Sequence, residues 1–99
     1  MNLLLKERTA MKKSLREPTH PGEILLEEFL KPKGMTQLQL AKAIGVPIQR
    51  INTLINGKRG ITPETAILLA RVFKNTPEFW MNLQMACDLY WARKILKVA

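Results

Sequence analysis

Four polar, uncharged side chains recur along one stretch of this sequence: Gln49, Asn52, Thr53 and Asn56. At about 100° per residue they fall on one face of an α-helix. Amide and hydroxyl groups donate and accept hydrogen bonds without carrying charge, which is the chemistry that reads base edges in the major groove of DNA. The residue types and their spacing therefore predict a face that recognises nucleic acid.

The opposite side of the same predicted helix is hydrophobic. Ile51, Leu54 and Ile55 share that side and are expected to pack inward. Ile48 and Arg50 flank the polar face, one on each side. The helix thus divides its residues between a core contact and an outward polar surface.

The charge pattern points to the same stretch. The chain carries a net charge of +8, yet residues 17–28 hold four glutamates and no base. Residues 29–63 contain no acidic residue and carry six basic ones: Lys31, Lys33, Lys42, Arg50, Lys58 and Arg59. A basic stretch is either a solvated surface or the docking site of a polyanion. Its position around the polar helix favours nucleic acid.

A second helix is predicted immediately before the polar one. Thr36 is a good N-cap, and Gln39 completes a capping box with it. Gly45 suits the end of this helix, and Pro47 suits the first turn of the next. Two short helices joined by a tight turn that contains glycine form a helix-turn-helix.

Three further helices complete the expected fold. One runs from Gly22 to about Leu30 and ends at Pro32 and Gly34. Two more begin with the same pattern of threonine, proline and glutamate, at residues 62–64 and 76–78. The sequence therefore predicts an all-α protein of five helices whose last helix is extended.

Composition limits the remaining possibilities. A chain of 99 residues with 46% hydrophobic residues forms one domain with a modest core. We expect a flexible basic arm at residues 1–17, with Met11 as an alternative start, and a single domain at 18–99. The single cysteine excludes an internal disulfide and fits the cytoplasm. No apolar run reaches the roughly 18 residues of a transmembrane helix.

Residues with catalytic or metal-binding chemistry are scarce. His20 is the only histidine and has no cysteine nearby, so a capping or structural role is expected. Cys87 lies among hydrophobic residues of a predicted helix, which is typical of a small core residue. No catalytic set can be assembled, so we predict neither an enzyme nor a metal or other cofactor.

The last helix carries more hydrophobic side chains than a small core needs. Two adjacent stripes include Phe79, Trp80, Leu83, Cys87 and Trp91. These residues belong either to the core or to an interface. Because a five-helix domain cannot bury a helix on every side, the pattern favours a homodimer interface.

The helix-turn-helix also resembles a known family. Gln37, Ala41, Gly45-Val46 and Ile51-Asn52 are similar to the motif of phage-repressor-type (XRE) regulators. Three flanking segments, HPGEILLEEFL, NGKRGIT and PEFWMNLQ, resemble those of HigA-type antitoxins from bacterial toxin–antitoxin pairs. The resemblance covers roughly residues 18–93, although Cys87 stands where an aromatic residue is expected.

The resemblance implies roles for individual residues. In related helix-turn-helix regulators, the residue at the position of Gln37 contacts a DNA phosphate. Positions matching Ile48, Gln49, Asn52 and Thr53 face base edges, where Ile48 either touches a thymine methyl group or joins the core. The resemblance also implies that Asn56, Lys58 and Arg59 contact the DNA backbone.

The resemblance further implies a function. Antitoxins of this type bind a HigB/RelE-like toxin, a ribosome-dependent mRNA endonuclease, and repress their own operon as dimers. The glutamates Glu23, Glu27 and Glu28 would suit such a basic toxin. A stand-alone repressor of phage type and a purely protein-binding module are the alternatives; the amides of Gln49 and Asn52 argue against the second.

Overall fold

Five helices make up the computed structural model of the protein, which describes residues 16–97. The first, α1, comprises three consecutive segments, Pro21–Ile24, Leu25–Leu30 and Lys31–Lys33. The others are α2 (Gln37–Ile44), α3 (Ile48–Ile55), α4 (Pro63–Phe73) and α5 (Pro77–Leu96). No strand occurs among residues 16–97, and none of their helices could span a membrane. The prediction of an all-α, five-helix protein is confirmed, while the predicted arm lies almost wholly outside the described residues.

Side-chain caps begin α2, α4 and α5 where the sequence predicted them. The Thr36 Oγ1 accepts the N–H of Gln39 at 3.0 Å, and the Gln39 Oε1 accepts the N–H of Thr36 at 2.8 Å. This reciprocal pair is a capping box. Thr62 and Thr76 accept hydrogen bonds from the N–H three residues later in the same way. Each cap satisfies an N–H group that the first helical turn leaves unpaired.

Helix α1 continues through Pro32, so the expectation that this proline ends it is wrong. A proline inside an α-helix collides with the carbonyl four residues earlier and lacks an N–H. Here the preceding segment, Leu25–Leu30, is a π-helix, and the N–H of Lys31 donates to the carbonyl of Leu26, five residues back. The wider turn accommodates the ring, and α1 ends only at Gly34, whose φ is 62°.

The first turn of α1 lies directly against the end of α3. His20 caps it, since its Nδ1 accepts the N–H of Gly22 at 2.9 Å. A Cβ atom on Gly22 would lie 1.8 Å from the carbonyl oxygen of Leu54. Only glycine allows this approach, because the atom in the way belongs to the backbone. The contact fixes where α3 lies relative to α1.

Aromatic residues from three helices close the other side of the core. Trp80 is 0% exposed, and its ring centroid lies 4.9 Å from that of Phe29 and 6.1 Å from that of Phe73. The Trp80 Nε1 donates to the Asn75 Oδ1 at 2.9 Å, which satisfies the buried indole N–H. Trp80 is therefore a core residue, which corrects its assignment to the interface.

Candidate nucleic-acid interface

The turn between α2 and α3 sets the position of the polar helix. Gly45 adopts a left-handed conformation, with φ 72°, as the sequence predicted. The N–H of Val46 donates back to the carbonyl of Ala41 at 3.0 Å, which closes the end of α2. Pro47 is the N-cap of α3 and not its first helical residue, one position from the expectation. Because the turn is this short, α2 and α3 pack directly on each other.

The two faces of α3 separate as predicted. Ile51 and Leu54 are buried in the core. Gln49, Asn52 and Asn56 are exposed. The surface of α3 therefore offers amide groups to solvent while its other side holds the helix in place.

Hydrogen bonds connect the exposed amides across both helices. The Asn56 Nδ2 donates to the Asn52 Oδ1 at 3.2 Å, and the Asn52 Nδ2 donates to the Gln37 Oε1 at 3.4 Å. Each amide uses only part of its donors and acceptors in these bonds. The chain brings Gln37, at the start of α2, together with the residues predicted to read bases. It orients them while leaving hydrogen-bonding capacity for a ligand.

The side chains of Ile48 and Thr53 differ in how exposed they are and in how they can contact a ligand. Ile48 is 43% exposed, so of its two predicted environments the structure gives the surface and not the core. Thr53 is half-buried, and its hydroxyl donates to its own helix, with the carbonyls of Gln49 and Arg50 at 2.9 and 3.2 Å. The Thr53 side chain can still accept a hydrogen bond or present its methyl group.

A cleft of about 220 Å³ adjoins the polar face, between α3 and the start of α4. Arg50 and Arg59 both line it, together with Leu54, Gly60, Thr62, Glu64 and Thr65. The structure thus brings together two arginines that are nine positions apart in the sequence. Guanidinium groups in this arrangement suit phosphate oxygens, to which they donate in a planar fork. Lys58 is exposed on the same connecting segment.

The acid-free stretch largely keeps its positive charge free in the structure. Among residues 16–97 the ion pair found is between the Lys31 Nζ and the Glu27 Oε2, at 2.9 Å. It lies on α1, away from the polar helix in sequence, and both groups are exposed. Arg50, Lys58 and Arg59 therefore place three positive charges beside the amides, and Glu64, which lines the same cleft as the two arginines, offsets part of that charge.

The remaining predicted interface residues lie along α5. Cys87 is buried, with its Sγ 3.6 Å from the carbonyl oxygen of Thr19. Burial raises the pKa of the Cys87 thiol, and the carboxylates of Asp88 and Glu17 raise it further. Like Trp80, Cys87 packs inside the subunit.

Trp91 is 49% exposed and Phe79 is exposed, so these two present hydrophobic surface, whereas Leu83 is partly buried and packs against the core. The sequence reasoning missed a second stripe, Met85, Leu89 and Leu96, which is also exposed. Its spacing of four and then seven residues keeps one helical face, and that signal was available. No three metal-ligating side chains come together within residues 16–97.

Comparison with known proteins agrees with this geometry. The helix-turn-helix family profile matches residues 26–80. Antitoxin HigA-1 of Vibrio cholerae is 47% identical over 83 residues, which cover 84% of this chain and 78% of that protein. A HigA-family addiction module antidote protein from Coxiella burnetii superposes with a TM-score of 0.75 at 48% identity, over 80% of this chain and 86% of the other. The structure of Pseudomonas aeruginosa antitoxin HigA with the higBA promoter superposes with a TM-score of 0.77 at 40% identity, over 79% of this chain and 85% of the other. The chain belongs to the helix-turn-helix family that includes the HigA antitoxins.

Proposed function

We propose that this protein is a sequence-specific DNA-binding antitoxin that represses its own operon and neutralises a cognate HigB/RelE-like mRNA-endonuclease toxin in the bacterial cytoplasm. The observation that carries DNA binding is the exposed chain of amides on α3, surrounded by arginine and lysine. Relatives solved with a promoter or an operator support the same function.

The residues of the polar face divide into two roles. Ile48, Gln49, Asn52 and Thr53 face the base edges, since amides pair with adenine and methyl groups contact thymine. The residues that hold the DNA backbone are Gln37, Arg50, Asn56, Lys58 and Arg59. Contacts with phosphates position the protein and carry no sequence information, whereas contacts with bases specify the site.

The exposed hydrophobic surface of α5 supports a homodimer. Trp91 and Leu89 lie on two sides of this helix, and a small subunit gains from covering both. Two-fold symmetry then predicts an inverted-repeat operator with half-sites separated by about one helical turn of DNA or a multiple of it. Trp91→Glu is expected to give a folded monomer with weak operator affinity, measured by sedimentation and circular dichroism. A wild-type protein that sediments as a monomer at micromolar concentration would contradict the dimer.

The toxin partner is supported by the relatives and by charge. Glu23, Glu27 and Glu28 are exposed on α1. Within residues 16–97, Glu27 forms an ion pair with Lys31, whereas Glu23 and Glu28 form none. A basic toxin would be attracted to these carboxylates and repelled by the basic stretch that follows.

A growth assay separates the two activities. The protein is co-expressed with the product of the adjacent gene, either as wild type or with Gln49→Ala and Asn52→Ala together. We expect both forms to rescue growth, and only the wild type to bind the operator. If neither form rescues growth or co-purifies with that product, the protein is the alternative, a stand-alone repressor of phage type.

A further inference from the structure

The side chain of Gln84 connects α5 to the segment that follows α3. Its Oε1 accepts the backbone N–H of Ile61 at 2.7 Å. Its Nε2 donates to the Asp88 Oδ1 at 2.9 Å, one turn further along α5. Gln84 also lies one turn after Trp80, whose buried ring fixes this part of α5 in the core. The amide is therefore held at both ends and rests on a rigid support.

Gly60 makes room for this amide. A Cβ atom on Gly60 would lie 2.6 Å from the Gln84 Oε1 and 2.9 Å from its Nε2. The backbone of Gly60 does not have a positive φ. A side chain at position 60 would therefore have to displace the Gln84 amide, whereas at Gly45, which has φ 72°, nothing lies within 4 Å of a Cβ and the constraint is the backbone conformation. Gly60 and Gln84 thus fit each other.

The other end of this segment is held by α3 itself. The N–H of Lys58 donates to the carbonyl of Thr53 at 2.9 Å. Arg59 and Gly60 lie between this bond and the bond from Ile61 to Gln84. The position of the Arg59 backbone therefore depends on two anchors, one on α3 and one on α5.

We propose that Gln84 is a positioning residue for DNA binding. By holding the N–H of Ile61 it fixes the segment that carries Lys58 and Arg59, so that both side chains meet the DNA backbone without first being ordered. The proposal rests on the proposed function, in which these two residues contact phosphates. It extends that function to a residue of α5 that does not touch DNA. It also gives α5, the helix with the exposed hydrophobic surface, a direct mechanical link to the DNA-binding segment.

The test compares three variants of the full-length chain. Gln84→Met has a similar length but no acceptor for the Ile61 N–H. Gln84→Glu keeps an acceptor but brings a second carboxylate against Asp88. Gln84→Glu combined with Asp88→Asn restores the pair with donor and acceptor exchanged. Arg59→Ala serves as the control that removes a proposed phosphate contact directly.

Affinity is measured for operator duplex and for a scrambled duplex of equal length, each over a titration of KCl. We expect Gln84→Met to remain folded by thermal melting and to weaken binding to both duplexes by the same factor, about threefold to tenfold. The ratio of the affinities for the two duplexes should stay unchanged. The slope of log affinity against log salt concentration should become shallower by about one released ion. Gln84→Glu alone should bind both duplexes more weakly because its added negative charge opposes DNA. The double variant keeps both the acceptor for the Ile61 N–H and the net charge of the wild type, so it should return to wild-type affinity and salt dependence.

Three results would overturn the proposal. The first is that Gln84→Met keeps the salt dependence of the wild type while Arg59→Ala binds DNA more weakly. The second is that the double variant binds DNA as weakly as Gln84→Glu. This comparison still tests the proposal if Gln84→Met does not fold. If instead Arg59→Ala and Lys58→Ala both bind like the wild type, the proposed phosphate contacts are wrong, and the role of Gln84 falls with them.

Discussion

The replacement of Asn52 by alanine tests the base-reading role most directly. Asn52 lies at the centre of the amide chain and bonds with Asn56 and Gln37. Both bonds are exposed and long, at 3.2 and 3.4 Å, so their loss should change the free energy of unfolding by less than about 0.5 kcal/mol. A bidentate contact between an amide and an adenine contributes about 1–3 kcal/mol of discrimination. The same substitution should therefore affect specific binding far more than folding.

Fluorescence anisotropy with operator and scrambled duplexes measures this difference. We expect Asn52→Ala to weaken operator binding by roughly 5-fold to 150-fold, because about 1.4 kcal/mol corresponds to a factor of ten. Its affinity for the scrambled duplex should stay within about twofold of wild type, since phosphate contacts are retained. Lys58→Ala is the matched control and should weaken both duplexes equally. An equal loss for Asn52→Ala on both duplexes, or an unfolding midpoint well below that of wild type, would refute the reasoning.

Two further predictions concern the interior of the subunit. Trp80→Phe removes the bonded indole N–H from a fully buried site and should lower the free energy of unfolding by about 1–3 kcal/mol, measured by urea titration. Trp91→Phe, at a half-exposed site, is the control and should change it by less than about 0.5 kcal/mol. Because burial raises the pKa of the Cys87 thiol, the folded state binds this proton more tightly than the unfolded state. The resulting stability is present below the unfolded pKa, about 9.0, and is lost as the pH rises through the folded pKa. Stability measured across this alkaline range should fall less in Cys87→Ala than in the wild type, and parallel curves would contradict the prediction.

Local signals were sufficient to predict most of the fold. The capping box at Thr36 and Gln39, the glycine at position 45 and the threonine caps at 62 and 76 are all decided by residues within one turn of each other. Pro32 misled because a proline usually ends a helix, and no sequence rule indicates the π-helix that accommodates it. The polar and buried sides of α3 followed directly from helical periodicity.

Long-range contacts explain what the sequence did not predict. Trp80 was assigned to an interface because its own helix has hydrophobic residues on several sides. Its burial depends on Phe29, which is 51 positions away in the sequence and arrives from α1. The bond from Ile61 to Gln84 likewise joins residues 23 positions apart. Periodicity describes one helix at a time, so it cannot identify which neighbour covers which face.

The separation of the two faces of α3 also bears on how such proteins diverge. Ile51 and Leu54 hold the helix against the core, while Gln49 and Asn52 extend from its other side. If these outward residues read bases as proposed, substitutions there change the preferred operator with little effect on the stability of the fold. After gene duplication, two copies in one genome could acquire separate operators through a few such changes. Cross-regulation between them would then disappear while each remained a folded, competent repressor of its own genes.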